Sequence, residues 1–314
     1  MLAACAMVLG LPDPIDGLVV GERPDAVAPD GWEIVEVRAA TLNHHDLWTL
    51  QGVIGVPFEP PVILGCDGAG IAADGREVVV YPVISGGEDF RMLTDGIDGT
   101  LATHVAVPSA NLLPKPPHLT FEQAAGLGTA WLTAWRMLFT KGGLRPGQRV
   151  LVQGATGGVA SAAIVLAAAA GAHVTATSRS EDGLEYARRA GAGEAVPSGT
   201  RLSERVDLVI ETVGAATWSH SLRSLAYGGR VVVSGATSGG DPSADLQRVF
   251  WRELQVLGSM MGTAGEMGDL CSFVTEHGIV PDVSRVYEGL ESVPEAMRDL
   301  DACRQFGKLA IGIG

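Results

Sequence analysis

RVLVQGATGGVASAAIVLAAAAGAHVTATSRS, residues 149–180, decides how the rest of the chain is read. An apolar run ending at Gln153 leads directly into Gly154, Gly157 and Gly158, then into an alanine-rich helical stretch, then into a second β-branched run. Strand, glycine turn, helix and strand in this order make a βαβ unit whose turn has the spacing G-x-x-G-G-x-A. Glycines at the end of a strand can be there for steric reasons alone, so the weight lies in the order of the elements. A turn free of side chains lets backbone N–H groups and a helix N-terminus approach a pyrophosphate. Gly154, Thr156, Gly157, Gly158 and Val159 are the expected phosphate-binding positions, with Ala160 where a third glycine often stands.

The end of the second strand speaks to which dinucleotide binds. An NAD site carries Asp or Glu there, ~20 residues after the glycines, to take the ribose hydroxyls. Thr177, Ser178, Arg179 and Ser180 occupy that place. Hydroxyls beside a guanidinium suit a 2′-phosphate, so Ser178 and Arg179 favour NADPH over NADH. Glu181 and Asp182 follow, but acidic residues also suit the first turn of a helix.

Outward from this unit, strands and helices keep alternating: VDLVIETV, TWSHSLRSL, GRVVVSG and ELQVLGS run to about residue 259. That alternation predicts a parallel sheet covered by helices on both faces. Through residue 110 the chain instead reads as strands and turns, punctuated by Gly, Pro and Asp. A helix is expected from Phe121, with Thr120 as N-cap and Gln123 three places on. Two more helical patterns, 264–277 and 293–303, precede a closing strand in GKLAIGIG.

Composition narrows the function classes. At 314 residues the chain is long enough for two cores. Its 46% hydrophobic and 18% charged residues, with mean hydropathy +0.23, suit a packed protein. A formal charge of −14 disfavours nucleic acid and anionic membrane surfaces as partners. The apolar start, residues 1–11, is too short to span a bilayer and lacks a basic lead, so it reads as a strand. Cys5, Cys66, Cys271 and Cys303 are widely spaced, which predicts reduced thiols and a cytoplasmic setting.

With these residues in view the chain resembles the medium-chain dehydrogenase/reductase superfamily, and among its branches the zinc-independent quinone oxidoreductase-like one. The resemblance rests on AATLNHHDLWTLQG, PVILGCDGAG, HVAVPSANLLPKPPHLTFEQAAGLGTAWLTAW, the GATGGVA turn and GKLAIGIG. It implies an α/β fold: a Rossmann doubly wound parallel sheet in residues 131–259, and a partly open, GroES-like β-barrel catalytic domain in 1–130 completed by 260–314. Substrate is expected in the cleft between them, and a homodimer is expected through edge strands. Thr133 is expected beside the nicotinamide, with main-chain groups of Ser234, Gly235, Gly258 and Ser259 reaching its carboxamide and ribose. Asn43 and Asp46 are expected near nicotinamide and substrate, with duller alternatives as a turn residue and a local cap. Gly183 stands where NADP-using relatives place a lysine, which leaves Arg179 as the main phosphate partner.

In zinc-dependent relatives three ligands hold a catalytic metal, and they fall here at Asn43, Cys66 and Thr129. Only the cysteine is an ordinary zinc ligand, and a catalytic site needs about three from the protein. His44, His45, Asp46 and Asp67 are possible substitutes, but in an extended segment His44 and His45 point apart. The four-cysteine lobe of alcohol dehydrogenases is also missing. No metal is therefore expected. Without a Lewis acid the fitting substrates are electrophilic small molecules, quinones or α,β-unsaturated carbonyls, which disperse the negative charge themselves.

His44 or His45 is a candidate proton donor, or else a satisfied wall residue; Trp48 and Trp131 line the cleft or fill the core. Cys66 reads as a buried thiol, and Lys308 as a phosphate contact or a solvated lysine. Two rival readings stand beside the reductase: an alcohol dehydrogenase with an atypical metal site, and a non-catalytic NADPH-binding redox sensor.

Overall fold

Short strands begin the chain, as its β-branched and apolar runs require. They are β1 (Leu2–Ala6), β2 (Leu18–Glu22) and β3 (Trp32–Thr41), followed by helix α1 (His44–Gln51). Next come β4 (Val62–Ile63), β5 (Asp67–Ala72), β6 (Glu77–Val80), β7 (Val83–Ser85), β8 (Arg91–Met92), β9 (His104–Pro108) and β10 (Leu112–Pro114). This is a computed structural model that describes residues 1–53, 57–303 and 305–314.

Helix α2 (Phe121–Ala125) starts at Thr120, whose hydroxyl accepts from the Gln123 N–H while the Gln123 side chain accepts from the Thr120 N–H. The long helix expected here is broken into α2, a π-helical stretch Leu127–Trp131, α3 (Leu132–Trp135) and a second π stretch Arg136–Lys141.

Strands β11 (Arg149–Val152), β12 (His173–Ser178), β13 (Glu194–Pro197), β14 (Val206–Glu211), β15 (Leu225–Val233) and β16 (Gln255–Gly258) then alternate with helices. These helices are α4 (Gly158–Ala169), α5 (Glu181–Arg189), α6 (Ala215–Ser224) and α7 (Leu246–Trp251). The chain ends with α8 (Ala264–Glu276), β17 (Val283–Glu288), α9 (Val293–Asp301) and β18 (Lys308–Gly312).

Two units result, Met1–Thr129 with Thr263–Gly314, and Ala130–Gly262. In the first, the main sheet runs β10-β6-β5-β3-β18-β17, with β9 also on β3, and a smaller sheet runs β2-β1-β4. Val35, Val37, Val78, Val80, Val105 and Val107 fill one core of this barrel-like unit. A second core joins Leu42, Leu47 and Leu50 of the α1 region to Val293 and Met297 of α9. At the end of β3, Thr41 pairs with Asp67 on one side and with Ala310 of β18 on the other. That register brings Asp67 and Lys308 to the same edge.

The second unit is a six-stranded sheet, order β13-β12-β11-β14-β15-β16, in which every pairing is parallel. Chain order reverses between β11 and β14, which is where ligands sit in doubly wound sheets, outside the carboxyl ends of the strands. The glycine turn leaves β11 at that point. The parallel Rossmann sheet and the separate β-rich, barrel-like unit expected from the sequence are both formed, the main barrel sheet being antiparallel except where β17 and β18 pair in parallel. One local reading needs correction: residues 44–51 are helical, so His44 and His45 are neighbours on a helical turn rather than opposed along a strand.

Candidate active site

Gly154 takes φ +70°, and a Cβ on it would come within 2.8 Å of Val213 Cγ2, so the position demands glycine twice over. Its N–H donates to Thr177 Oγ1 (3.3 Å) and the Ala155 N–H donates to the Thr177 carbonyl (2.8 Å). Both donors therefore point into the fold. Helix α4 begins at Gly157 with no side-chain cap. Among the described residues, the N–H groups of Thr156, Gly158, Val159 and Ala160 have no partner. Four unpaired donors at the positive end of a helix, with no side chain in front of them, fit a pyrophosphate.

Ser178, Arg179 and Ser180 divide the work at the end of β12. Ser178 is buried and its Oγ accepts the Ser180 N–H at 3.3 Å. The Ser180 hydroxyl caps α5 by accepting the Gly183 N–H at 3.2 Å. A Cβ on Gly183 would lie 2.1 Å from Ser178 Oγ, which explains why no lysine stands there. Arg179 is exposed, and among the described residues its guanidinium makes no hydrogen bond or ion pair. On the neighbouring strands, the Ser234 N–H donates to the Glu211 carbonyl (3.0 Å) and the Ser259 N–H donates to the Val233 carbonyl (2.9 Å). Those two amides are consumed by the sheet, and the Ser259 hydroxyl donates to the Met260 carbonyl (3.0 Å). Gly258 is the last residue of β16 and Gly235 lies two residues beyond β15, and Thr133 is buried on α3.

In the barrel unit, the polar residues after β3 converge on Asp67, which is fully buried. Asp67 Oδ2 accepts from Thr41 Oγ1 (3.0 Å), Asn43 Nδ2 (2.9 Å) and Lys308 Nζ (3.1 Å), and Oδ1 accepts from the Thr129 N–H (2.6 Å) and hydroxyl (2.7 Å). Lys308 Nζ also donates to the Leu42 carbonyl (2.8 Å) and Asn43 Oδ1 (2.7 Å). All three ammonium protons are thus used, and Lys308, 3% exposed, is neither a phosphate contact nor a solvated lysine. Two weak sequence signals, the Asp after Cys66 and the Lys opening the closing strand, belong to one buried hub.

Asp46 faces away from this hub. Its Oδ2 accepts the Asn43 N–H (2.9 Å), its Oδ1 accepts the Gly65 N–H (2.9 Å), and no part of it is exposed. Burial raises its carboxyl above the ordinary value, against the pull of these two N–H groups. It is placed to hold the start of α1, as a cap. His44 keeps solvent access on the first turn of α1, yet desolvation of its ring and then the Lys308 ammonium hold it below the ordinary imidazole value. His45 Nε2 meets Asp95 Oδ1 at 2.9 Å, and Asp95 is 3% exposed. Asp95 follows Thr94, a buried β-branched residue at φ +79°, a strained conformation of the kind that clusters at functional sites. Trp48 is 42% exposed, whereas Trp131 is core.

The zinc-ligand positions of the superfamily can be tested on these donors. The Asn43 amide is committed at both ends, the Thr129 hydroxyl donates to Asp67, and burial followed by the Asp46 and Asp67 charges holds the Cys66 thiol well above its usual range. Cys66 Sγ lies against the Leu93 carbonyl and Thr94 Oγ1. With the amide and the hydroxyl spent on their neighbours, one thiol remains of the three positions, short of the roughly three protein ligands that a catalytic zinc needs. No group of three or more His, Cys, Asp or Glu side chains able to hold a metal occurs among the described residues.

Comparison with known proteins gives two family matches, a zinc-binding dehydrogenase model over residues 158–276 and an alcohol dehydrogenase GroES-like domain model over residues 29–117. A zinc-type alcohol dehydrogenase-like protein of Schizosaccharomyces pombe is 30% identical over 93% of each chain. An acryloyl-coenzyme A reductase of Sulfurisphaera tokodaii is 28% identical over 96% of this chain and 98% of its own. A crystal structure described as an NAD-dependent alcohol dehydrogenase superposes with a TM-score of 0.92 at 35% identity, covering 100% of both chains.

Proposed function

The chain belongs to the medium-chain dehydrogenase/reductase superfamily and is an NAD(P)H-dependent oxidoreductase, and from that premise we propose that it reduces α,β-unsaturated carbonyl compounds without a metal, with NADPH as donor. The observation that carries this is the donor set around Asp67: the positions that hold zinc elsewhere in the superfamily carry an amide and a hydroxyl already bound to a carboxylate, and a single buried thiol. Without a Lewis acid a simple alcohol needs another way to stabilise its alkoxide, whereas a conjugated C=C spreads the charge onto an oxygen that hydrogen-bond donors can hold. Similarity to an acryloyl-coenzyme A reductase puts enoyl thioesters ahead of quinones within that class.

When bound, the nicotinamide supplies the hydride. Gly154, Gly157 and Gly158 shape the turn, and the N–H groups of Thr156, Gly158, Val159 and Ala160 hold the pyrophosphate. Arg179 takes the 2′-phosphate and Ser178 fixes the loop that carries it. Because one similar structure is described as NAD-dependent, Arg179 is the residue on which the NADPH preference rests. Thr133, Ser234, Gly235, Gly258 and Ser259 are assigned to the nicotinamide end through the groups the sheet leaves free. In the barrel unit, Asn43 is held rigid by Lys308 and Asp67, and Asp46 anchors the start of α1. His44 is the donor with no hydrogen bond among the described residues; held neutral, it suits donation to a developing oxyanion.

The proposal includes a homodimer. Strand β16 is an open sheet edge, and Tyr227, Phe250, Trp251, Val256 and Met260 are all exposed large apolar residues in and around it. A second copy pairing along that edge would cover them. All four cysteines are free, which fits the cytoplasmic setting of this reading, and among the described residues no helix is long and apolar enough to cross a membrane.

The test is a cofactor-consumption screen of enones, enoyl thioesters, quinones and aldehydes with both nicotinamides, run beside metal analysis of the same protein. Consumption with an enone or enoyl thioester at well under one equivalent of zinc is the expected result. Stoichiometric zinc with alcohol oxidation would return the protein to the alcohol dehydrogenases. Tight NADPH binding with no turnover on any acceptor would instead make it a sensor.

A further inference from the structure

Glu211, the last residue of β14, is fully buried and has no cationic partner among the described residues. Its Oε1 accepts from the N–H groups of Val213 (2.8 Å) and Gly214 (3.0 Å) and from Thr217 Oγ1 (2.9 Å). Its Oε2 accepts from Thr217 Oγ1 (2.9 Å) and from Ser221 Oγ (2.6 Å). The chain of bonds goes on. Gln153 Nε2 donates to Ser221 Oγ (3.0 Å), Thr177 Oγ1 donates to Gln153 Oε1 (2.7 Å), and the Gly154 N–H donates to Thr177 Oγ1 (3.3 Å). The second Gln153 proton goes to His220 Nδ1 (2.9 Å), and His220 Nε2 faces the Thr200 carbonyl (2.8 Å), which fixes that ring's tautomer.

Every link runs in one direction. Each hydroxyl accepts from the side of the glycine turn and donates towards the carboxylate, and the carboxylate, which can only accept, ends the series. The same anion also binds the turn after β14. One side chain therefore pins the turns at the carboxyl ends of both strands that flank the reversal point of the sheet.

Building on the dinucleotide site proposed above, we propose that Glu211 is a positioning residue for the cofactor: through Ser221, Gln153 and Thr177 it turns the Gly154 N–H inward, and so sets which donors of the glycine turn face the pyrophosphate. An amide in its place can donate as well as accept, and the series can then reverse. Thr177 is free to swing, the turn relaxes, and the outward set of N–H groups loses its alignment.

The experiment measures NADPH affinity by fluorescence titration and melting temperature for the wild type, Glu211→Gln, Ser221→Ala, Thr177→Val, and the double variant Glu211→Gln/Thr177→Val. Leu222→Ala, a core change on the same helix, serves as a control for destabilisation alone. Glu211→Gln and Ser221→Ala are expected to weaken NADPH binding about 10- to 100-fold. The double variant should lose little more than its worse parent, because one series is being cut twice. Leu222→Ala should melt lower with affinity within about threefold of wild type. If Glu211→Gln lowers the melting temperature but not the affinity, or if the two losses multiply, the positioning role is wrong. Should Glu211→Gln fail to fold, Ser221→Ala alone decides by the same criterion. A wild-type protein that binds neither dinucleotide overturns the cofactor site and this proposal together.

Discussion

Replacing Lys308 by Met tests the barrel unit where its charge is most deeply buried. The ammonium and the Asp67 carboxylate have side chains 4% and 0% exposed and meet at 3.1 Å. Removing one partner of a buried pair costs roughly 3–5 kcal/mol, because the other charge stays behind. Asp67 would keep four neutral donors, Thr41 Oγ1, Asn43 Nδ2 and the N–H and hydroxyl of Thr129, so the lower end applies. About 3 kcal/mol corresponds to roughly 6–12 °C in melting temperature for a unit of this size. Urea unfolding should show a lower midpoint at unchanged slope. Lys308→Met/Asp67→Asn removes the stranded charge and should recover about half of the loss. A loss below about 1 kcal/mol in the single variant, or a double variant no better than the single, would falsify the picture of a charge hub that needs its cation.

Three other outcomes follow from described geometry. Arg179→Ala should weaken NADPH about 10-fold or more and NADH little, since Ser178 is committed to the Ser180 N–H; equal losses would count against the 2′-phosphate assignment. Of the four cysteines only Cys303 is exposed, and burial pushes the Cys271 thiol up to about 12, so one thiol per chain should react rapidly with a disulfide reagent at neutral pH and two fast thiols would contradict the packing. Because His44 is held below its ordinary 6.5, the unfolded chain takes up that proton first as pH falls. Stability should therefore be full above about 6.5 and weaken below it, down through the lowered folded value. His44→Asn should flatten that limb, and an unchanged stability–pH curve would remove His44 from the argument.

Much of the fold was readable because its signals are local. The glycine turn places three glycines in a row of seven, and Thr120 with Gln123 announces a helix start within four residues. The hub in the barrel unit was not readable in the same way. Asp67 and Lys308 are 241 positions apart and meet only through the register of β5, β3 and β18, which no local pattern encodes. Residues 44–51 were misread as extended because the surrounding segments are strands and His, His and Asp carry little helical preference of their own. Their helix is fixed by Asp46 capping Asn43 and by Leu47 and Leu50 reaching the core, both tertiary effects. Glu211 looked like an ordinary strand end because its partners, Val213, Gly214, Thr217 and Ser221, form no recognised motif, and the series beyond them reaches Gln153 and Thr177 only through the fold.

Strand β18 is the penultimate strand of the barrel sheet, between β3 and β17. During synthesis, then, the first 129 residues emerge with the end of β3 unpaired on its β18 side until residues 308–312 are made, whereas the parallel sheet has all its strands by residue 258. The intervening unit can mature on the ribosome while the earlier one waits with unpaired strand edges, the state most exposed to misassembly. Shortening the chain before Lys308 would therefore cost the whole barrel rather than its last strand alone.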